Sequence, residues 1–295
     1  MDLDDFIIAV FCVVDEAIPR ALEGQRLRQR GPQPVLADSE VITMEVVGTY
    51  LGLEQDSALF AYFRQHYAHF FPALRTLHRT TFVRQAANLW RLKERVWQQA
   101  LAQIPHDPTF ALIDSFPLPV CQFARAYRCR RFRGEAAFGK DTLVRQTFYG
   151  LRVHVRLEWP GVITRFCVAP ANAHELTALP ALAEQTVGTL VGDRNYWSPT
   201  TTTEWQRLGV DLLAPYRSAK RDPHPRWSAV LSRVRYRIDT VFGQLVDRCE
   251  VKRVWARDLW HLCSRLLRTV LMHTLVVLLN VERGNPPLHL ARLVA

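Results

Sequence analysis

Three aspartates stand where oxygen-ligand chemistry is easiest to build. Asp114 closes the apolar run "FALID" (110–114), Asp193 closes "TLVGD" (189–193), and Asp239 lies in the helical stretch "RYRIDTVFGQL". A carboxylate at the end of an apolar run is costly to bury unless something pairs with it. Open α/β sheets place their sites at the carboxyl ends of strands, so two strand-end aspartates predict one shared site. A third acid delivered from a helix completes an all-oxygen set suited to two Mg²⁺ ions about 3.5–4 Å apart, an arrangement that activates a nucleophile and stabilises a leaving oxygen in phosphodiester chemistry. Each aspartate alone has a plainer reading, a turn residue for Asp114 and a solvated helix face for Asp239. His154 in "LRVHV" reads as a strand histidine with its hydrogen bonds met and His174 in "NAHE" as a helix-start residue; both stay outside the metal set because hard Mg²⁺ prefers oxygen.

Positive charge is concentrated around these acids. Arg125, Arg128, Arg130, Arg131 and Arg133 crowd into nine positions with no acidic residue between Ser115 and Arg133, Lys140 follows, and Arg235 and Arg237 flank Asp239. Like charges so close repel one another, and a phosphate backbone relieves them; a solvated loop is the plain alternative. Phe123, Tyr127 and Phe132 interleave with the arginines as rings able to stack on exposed bases. The whole chain agrees in sign, with 38 Lys and Arg against 28 Asp and Glu and a net charge of +10. Such an excess points to nucleic acid or an anionic membrane surface.

The elements that must position these residues follow from periodicity. Residues 1–105 read as helical, with "SEVITMEVVGTYLGL" and apolar residues at three-to-four spacing over Arg79–Ile104 ("RTTFVRQAANLWRLKERVWQQALAQI"), where Arg79, Arg84 and Arg91 are placed to meet DNA. "IPHDP" then breaks the chain. Beta-type runs follow at 110–114, 147–158, 162–170, 189–193 and 210–215, the second and third joined in a hairpin through Trp159, Pro160 and Gly161. Helices over "HELTALPALAEQ" and "PTTTTEWQRLG" separate the later strands, and long helices return from Arg226. The fold class predicted is α/β, a mixed sheet flanked by helices, with an all-helical N-terminal domain over 1–105 and a catalytic domain with C-terminal helices over 106–295. The six cysteines form no CxxC pair and predict reduced thiols in a cytosol. The acidic start predicts no secretion signal, and "LLRTVLMHTLVVLLNV", interrupted by Arg268 and His273, predicts a buried helix and no membrane span.

In order and spacing, "LIDSFPLPVC", "RAYRCRRFRG", "QTFYGLRVHV", "ANAHE", "LVGDRNY" and "RYRIDTVFGQL" resemble the DDE transposases of bacterial insertion sequences, most closely the insertion sequence 982 type. The resemblance spans almost the whole chain, since "LADSEVITMEVVGTYLGL" and "HRTTFVRQAANLW" are similar to that family's N-terminal domain. It implies an RNase H-like catalytic domain, Asp114, Asp193 and Asp239 as the three catalytic acids, and two Mg²⁺ ions with Mn²⁺ as a substitute. It also implies double-stranded DNA as partner, both transposon ends and target, a homodimer on DNA, and a cytoplasmic, nucleoid-associated place in a bacterium. One departure stands out: the family's third acid is normally Glu, and Asp239 withdraws the carboxylate by about 1.3–1.5 Å, while a misplacement of roughly 1 Å can cost 10²-fold in rate. Glu250, about 16 Å further along a continuous helix, is the reserve candidate. A metal nuclease that does not join strands, and a non-catalytic DNA-binding relative, remain the alternatives.

Overall fold

A computed structural model describes residues 1–141 and 144–294, and the chain divides into two compact units: Met1–Ile104 with Leu245–Val251 and Trp255–Ala295, and Pro105–Gln244 with Lys252–Val254. The first unit is helical, as the sequence predicts, with α1 (Leu3–Leu22), α2 (Asp38–Tyr50), α3 (Asp56–His66), α4 (Arg79–Asn88) and α5 (Trp90–Leu101). The helical pattern over Arg79–Ile104 is two helices that meet at Leu89, just after Asn88, whose short amide favours chain ends over helix interiors. The C-terminal helix Leu259–Glu282 packs on α5, α2 and α4 in this unit, whereas the sequence groups it with residues 106–295. It is long and apolar enough to cross a membrane, yet 89% of its most apolar window is buried inside the protein. Buried charges tie it in: Lys93 on α5 donates to Glu45 Oε2 (2.7 Å) and to Ser264 Oγ (2.6 Å), and Arg268 pairs with Asp56 at 2.6 Å.

The second unit is built on a mixed sheet. Its strands are β1 (Asp107–Gln122), β2 (Ala137–Asp141), β3 (Gln146–Trp159), β4 (Val162–Pro170), β5 (Gly188–Val191) and β6 (Val210–Leu213), with helices α6 (Glu175–Ala183), α7 (Pro199–Arg207), α8 (Pro225–Val234) and α9 (Tyr236–Gly243). The order is β2-β3-β1-β5-β6, with β4 alongside β3. β1 to β4 pair antiparallel, while β5 and β6 extend the sheet in parallel from β1. The predicted β3–β4 hairpin is present, with Glu158 opposite Val162 across the Trp159–Gly161 turn. β2 escaped periodicity because "AFGKD" carries a glycine and two charges. The long helix expected from Arg226 breaks at Arg235, which ends α8 and begins α9.

Two features of β1 set the site. The strand does not end at Asp114, as the sequence predicts, but continues against β3, where Asp114 lies opposite Val155. Its pairing with β5 covers only Phe110 to Leu112, so the sheet opens on that side just before Asp114. Strand alternation then sends successive residues to opposite faces. Ala111 and Ile113 join Leu179, Leu182 and Tyr196 in the core under α6, while Phe116 meets Phe242 of α9 at 5.0 Å on the other face.

Candidate active site

Asp114 sits in that opening, with its side chain only 14% exposed. Oδ1 accepts from the Ser115 amide at 2.7 Å, and Oδ2 accepts from Arg235 Nη2 at 2.5 Å. Burial pushes the carboxyl up to about 6; Arg235 pulls it down, and the charge of Asp193 raises it again. Asp193 follows β5 through Gly192. Its Oδ1 accepts from the Asn195 amide at 2.9 Å, which makes it the cap of a short turn over Arg194–Tyr196. Gly192 has a steric reason: a Cβ there would lie 2.7 Å from the Tyr196 ring. Tyr196 is fully buried, its hydroxyl has no hydrogen-bond partner, and burial beside Glu175, Asp114 and Asp193 holds it well above the ordinary tyrosine range.

A third carboxylate shares this place, and it is Glu175. It opens α6 immediately after its capping residue His174, and only 8% of it is exposed. Ser115 Oγ donates to Oε1 at 3.0 Å and itself accepts from Arg152 at 3.0 Å, while Arg152 lies 3.5 Å from the same Oε1. The other oxygen, Oε2, is buried with no donor. Burial, then the charges of Asp193 and Asp114, push Glu175 up to about 7. The sequence signal for it is "ANAHE", and an acid in the first turn of a helix is ordinary and favourable there, which hides it. α6 is held in place from its other end. Buried Arg156 of β3 donates to Thr164 Oγ1 at 2.9 Å, Leu182 O at 2.9 Å and Glu184 O at 3.0 Å, and pairs with Glu158 at 3.1 Å.

Asp239, the third acid expected from the sequence, stands on α9. It is exposed on α9 and makes no ion pair among the described residues, because the neighbouring Ile238 and Val241 face the core and turn it outward. Arg235, one turn earlier, is the residue of this segment that reaches Asp114. α9 ends at Gly243, so Glu250 does not lie on one continuous helix with Asp239 and belongs to the first unit.

The basic residues divide by role. Arg125, Arg128, Arg130, Arg133 and Lys140 are exposed. Arg131 is committed to main-chain carbonyls, Val120 O at 2.6 Å and Val254 O at 3.0 Å. Arg237 stacks over Trp159 at 4.9 Å and bonds the Tyr236 hydroxyl. Among the rings, Phe132 is buried, whereas Phe123 and Tyr127 are 61% and 71% exposed, with Arg128 over Tyr127 at 5.0 Å. Exposed Phe138 packs on Phe123 at 5.5 Å and extends the aromatic surface.

Among the described residues no three His, Cys, Asp or Glu side chains close around an ion as they stand, and Arg235 supplies the positive charge at Asp114. The donor chemistry nevertheless fits a hard divalent cation. The set is all-oxygen, Asp114 and Glu175 are pushed up by burial and by like charges, and Glu175 Oε2 is buried without a donor. Residues 106–258, just over half of the chain, match the family described as the transposase DDE domain. No curated protein and no solved structure matches the chain.

Proposed function

Since the chain belongs to the transposase DDE domain family, we propose that it is the transposase of an insertion sequence, of the 982 type, with an RNase H-like catalytic unit. The carrying observation is that β1 and β5 run parallel with Leu112 opposite Val191, so that Asp114 and Asp193 each follow that pair by two residues at the same end of the sheet. Asp114 and Asp193 would hold Mg²⁺, or Mn²⁺ in its place, and the family motif assigns the third acid to Asp239. The bound ions would supply activation of a nucleophilic oxygen and stabilisation of the leaving one. Terminal inverted repeats are the DNA bound. A first attack by water frees a 3′-OH at the transposon end, and that hydroxyl then attacks target DNA with no covalent protein intermediate. Exposed Arg125, Arg128, Arg130, Arg133 and Lys140 would follow the phosphates, with Phe123 and Tyr127 beside them for unpaired bases. The helical N-terminal residues 1–105 assist in recognising the ends, through Arg79, Arg84 and Arg91. A cytoplasmic homodimer on double-stranded DNA, away from any membrane, completes the reading.

Purified protein incubated with labelled end DNA and Mg²⁺ should yield 3′-OH ends at the transposon tip. Cleavage without joining to target would favour a nuclease, and end binding with no cleavage in Mg²⁺ or Mn²⁺ would favour a non-catalytic DNA-binding relative.

A further inference from the structure

We propose that Cys121 and Cys129 are a site of reversible thiol oxidation: peroxide joins them in an intramolecular disulfide that closes the segment carrying Arg125 and Arg128. The site lies apart from the carboxylates and holds whatever reaction they perform.

The two cysteines stand eight positions apart, with no CxxC spacing to mark them, and the fold brings them together. Cys121 lies near the end of β1 opposite Tyr149 of β3, just past an irregularity in the pairing at Pro119. From Phe123 to Arg128 the chain makes a short helical turn, and Cys129 follows it in extended backbone. Hydrogen bonds return the chain to the sheet. The Cys129 amide donates to Ala126 O at 3.0 Å, Arg131 donates to Val120 O at 2.6 Å, and the Tyr149 hydroxyl donates to Phe132 O at 3.2 Å. The two thiols are hydrogen-bonded to each other, and both act on Tyr149. A disulfide holds its sulfurs at about 2.05 Å, closer than thiols in a hydrogen bond. The intervening turn can give that distance, because Ala126 is its one buried residue.

Both sulfurs are half-buried rather than sealed. A cleft of about 530 Å³, lined by Pro119, Cys121, Phe123 and Phe148 among others, opens on Cys121 and admits a molecule as small as hydrogen peroxide. Burial raises the Cys121 thiol, and the charges of Arg131 and Arg125 pull it back towards thiolate. One thiolate attacks the peroxide oxygen and becomes a sulfenic acid as the first water leaves. The second sulfur displaces that hydroxyl as the second water and forms the S–S bond. Two thiols and one peroxide thus give one disulfide and two waters, the thiols being oxidised and the peroxide reduced.

The full chain, reduced and then treated with equimolar hydrogen peroxide, tests the site by peptide mapping after alkylation of the remaining thiols. Cys121 and Cys129 should be recovered in one disulfide-linked peptide that dithiothreitol separates, while exposed Cys12 is alkylated. Trypsin should cut after exposed Arg125 and Arg128 at least about tenfold more slowly in the oxidised protein, since closing the segment suppresses the local opening that cleavage needs. Cys129→Ser should lose both the linked peptide and the protection, and Cys121→Ser serves equally if that variant does not fold. Cys121 and Cys129 both alkylated after peroxide, or either recovered as a sulfonic acid or in a disulfide to another cysteine, would overturn the proposal. So would a disulfide between them that leaves cleavage at Arg125 and Arg128 unchanged, because the closure would then hold nothing.

Discussion

Asp114 is held by Arg235 at 2.5 Å, and this largely buried pair decides how the site behaves before any cation arrives. Removing one partner of a buried pair leaves an uncompensated charge at a cost of about 3 kcal/mol. Arg235→Gln should therefore lower the melting temperature of the metal-free protein at pH 8 by several degrees, and saturating Mn²⁺ should raise it by more than in wild type. Equal Mn²⁺ stabilisation of both proteins would mean that Arg235 and the cation do not share Asp114. At this scale the sequence was informative only in part. Asp114 and Asp193 stood out because acids rarely end apolar runs. Glu175 did not, since what makes it unusual is the burial of Oε2 beneath other carboxylates, and burial is a property of the folded chain. Asp239 was nominated by motif position alone, and Ile238 and Val241, by claiming the core face of α9, turn it to solvent.

Elements place these side chains with little tolerance, and β3 shows why. Arg156 pins the end of α6, while His154 on the same strand is fully buried with neither ring nitrogen hydrogen-bonded, contrary to the satisfied strand histidine expected from "LRVHV". Burial lowers His154 to about 4 and does the same to His273 in the C-terminal helix. The folded chain holds both neutral, and the unfolded chain protonates them near pH 6.5. Stability from these groups is thus complete above about 6.5 and is lost as the pH falls towards 4, by up to about 3 kcal/mol for each. Thermal melts across that interval should show the decline, and His154→Leu should make it shallower; an unchanged slope would mean that His154 titrates alike in the folded and unfolded chain. Strand positions and the Trp159–Gly161 turn were legible because alternation and turn chemistry are local. The breaks at Leu89 and Arg235 were not, because helical periodicity runs straight across both. The length of β1 beyond Asp114 was hidden because its later half is supported by β3, a partner distant in sequence.

For the molecule as a whole, the net charge of +10 makes DNA affinity a salt-dependent quantity. Replacing exposed Arg125, Arg128 and Arg130 together by Glu should weaken binding to end DNA and reduce the slope of log K against log salt by about 2–3. Arg131, spent on Val120 and Val254, should behave differently, its loss appearing in thermal stability rather than in the salt slope. The sequence grouped Arg131 with its neighbours because nothing local reveals that its partners are carbonyls 11 and 123 residues away. Whether one carboxylate site both frees and joins DNA ends is read by supplying pre-cut end DNA with a free 3′-OH, a target duplex and Mg²⁺, and measuring joined product. Wild-type protein should form it, and Asp114→Asn and Asp193→Asn should bind the ends with near-parental affinity and form none. Joined product from either variant at close to the wild-type rate would mean that these aspartates do not carry the joining step.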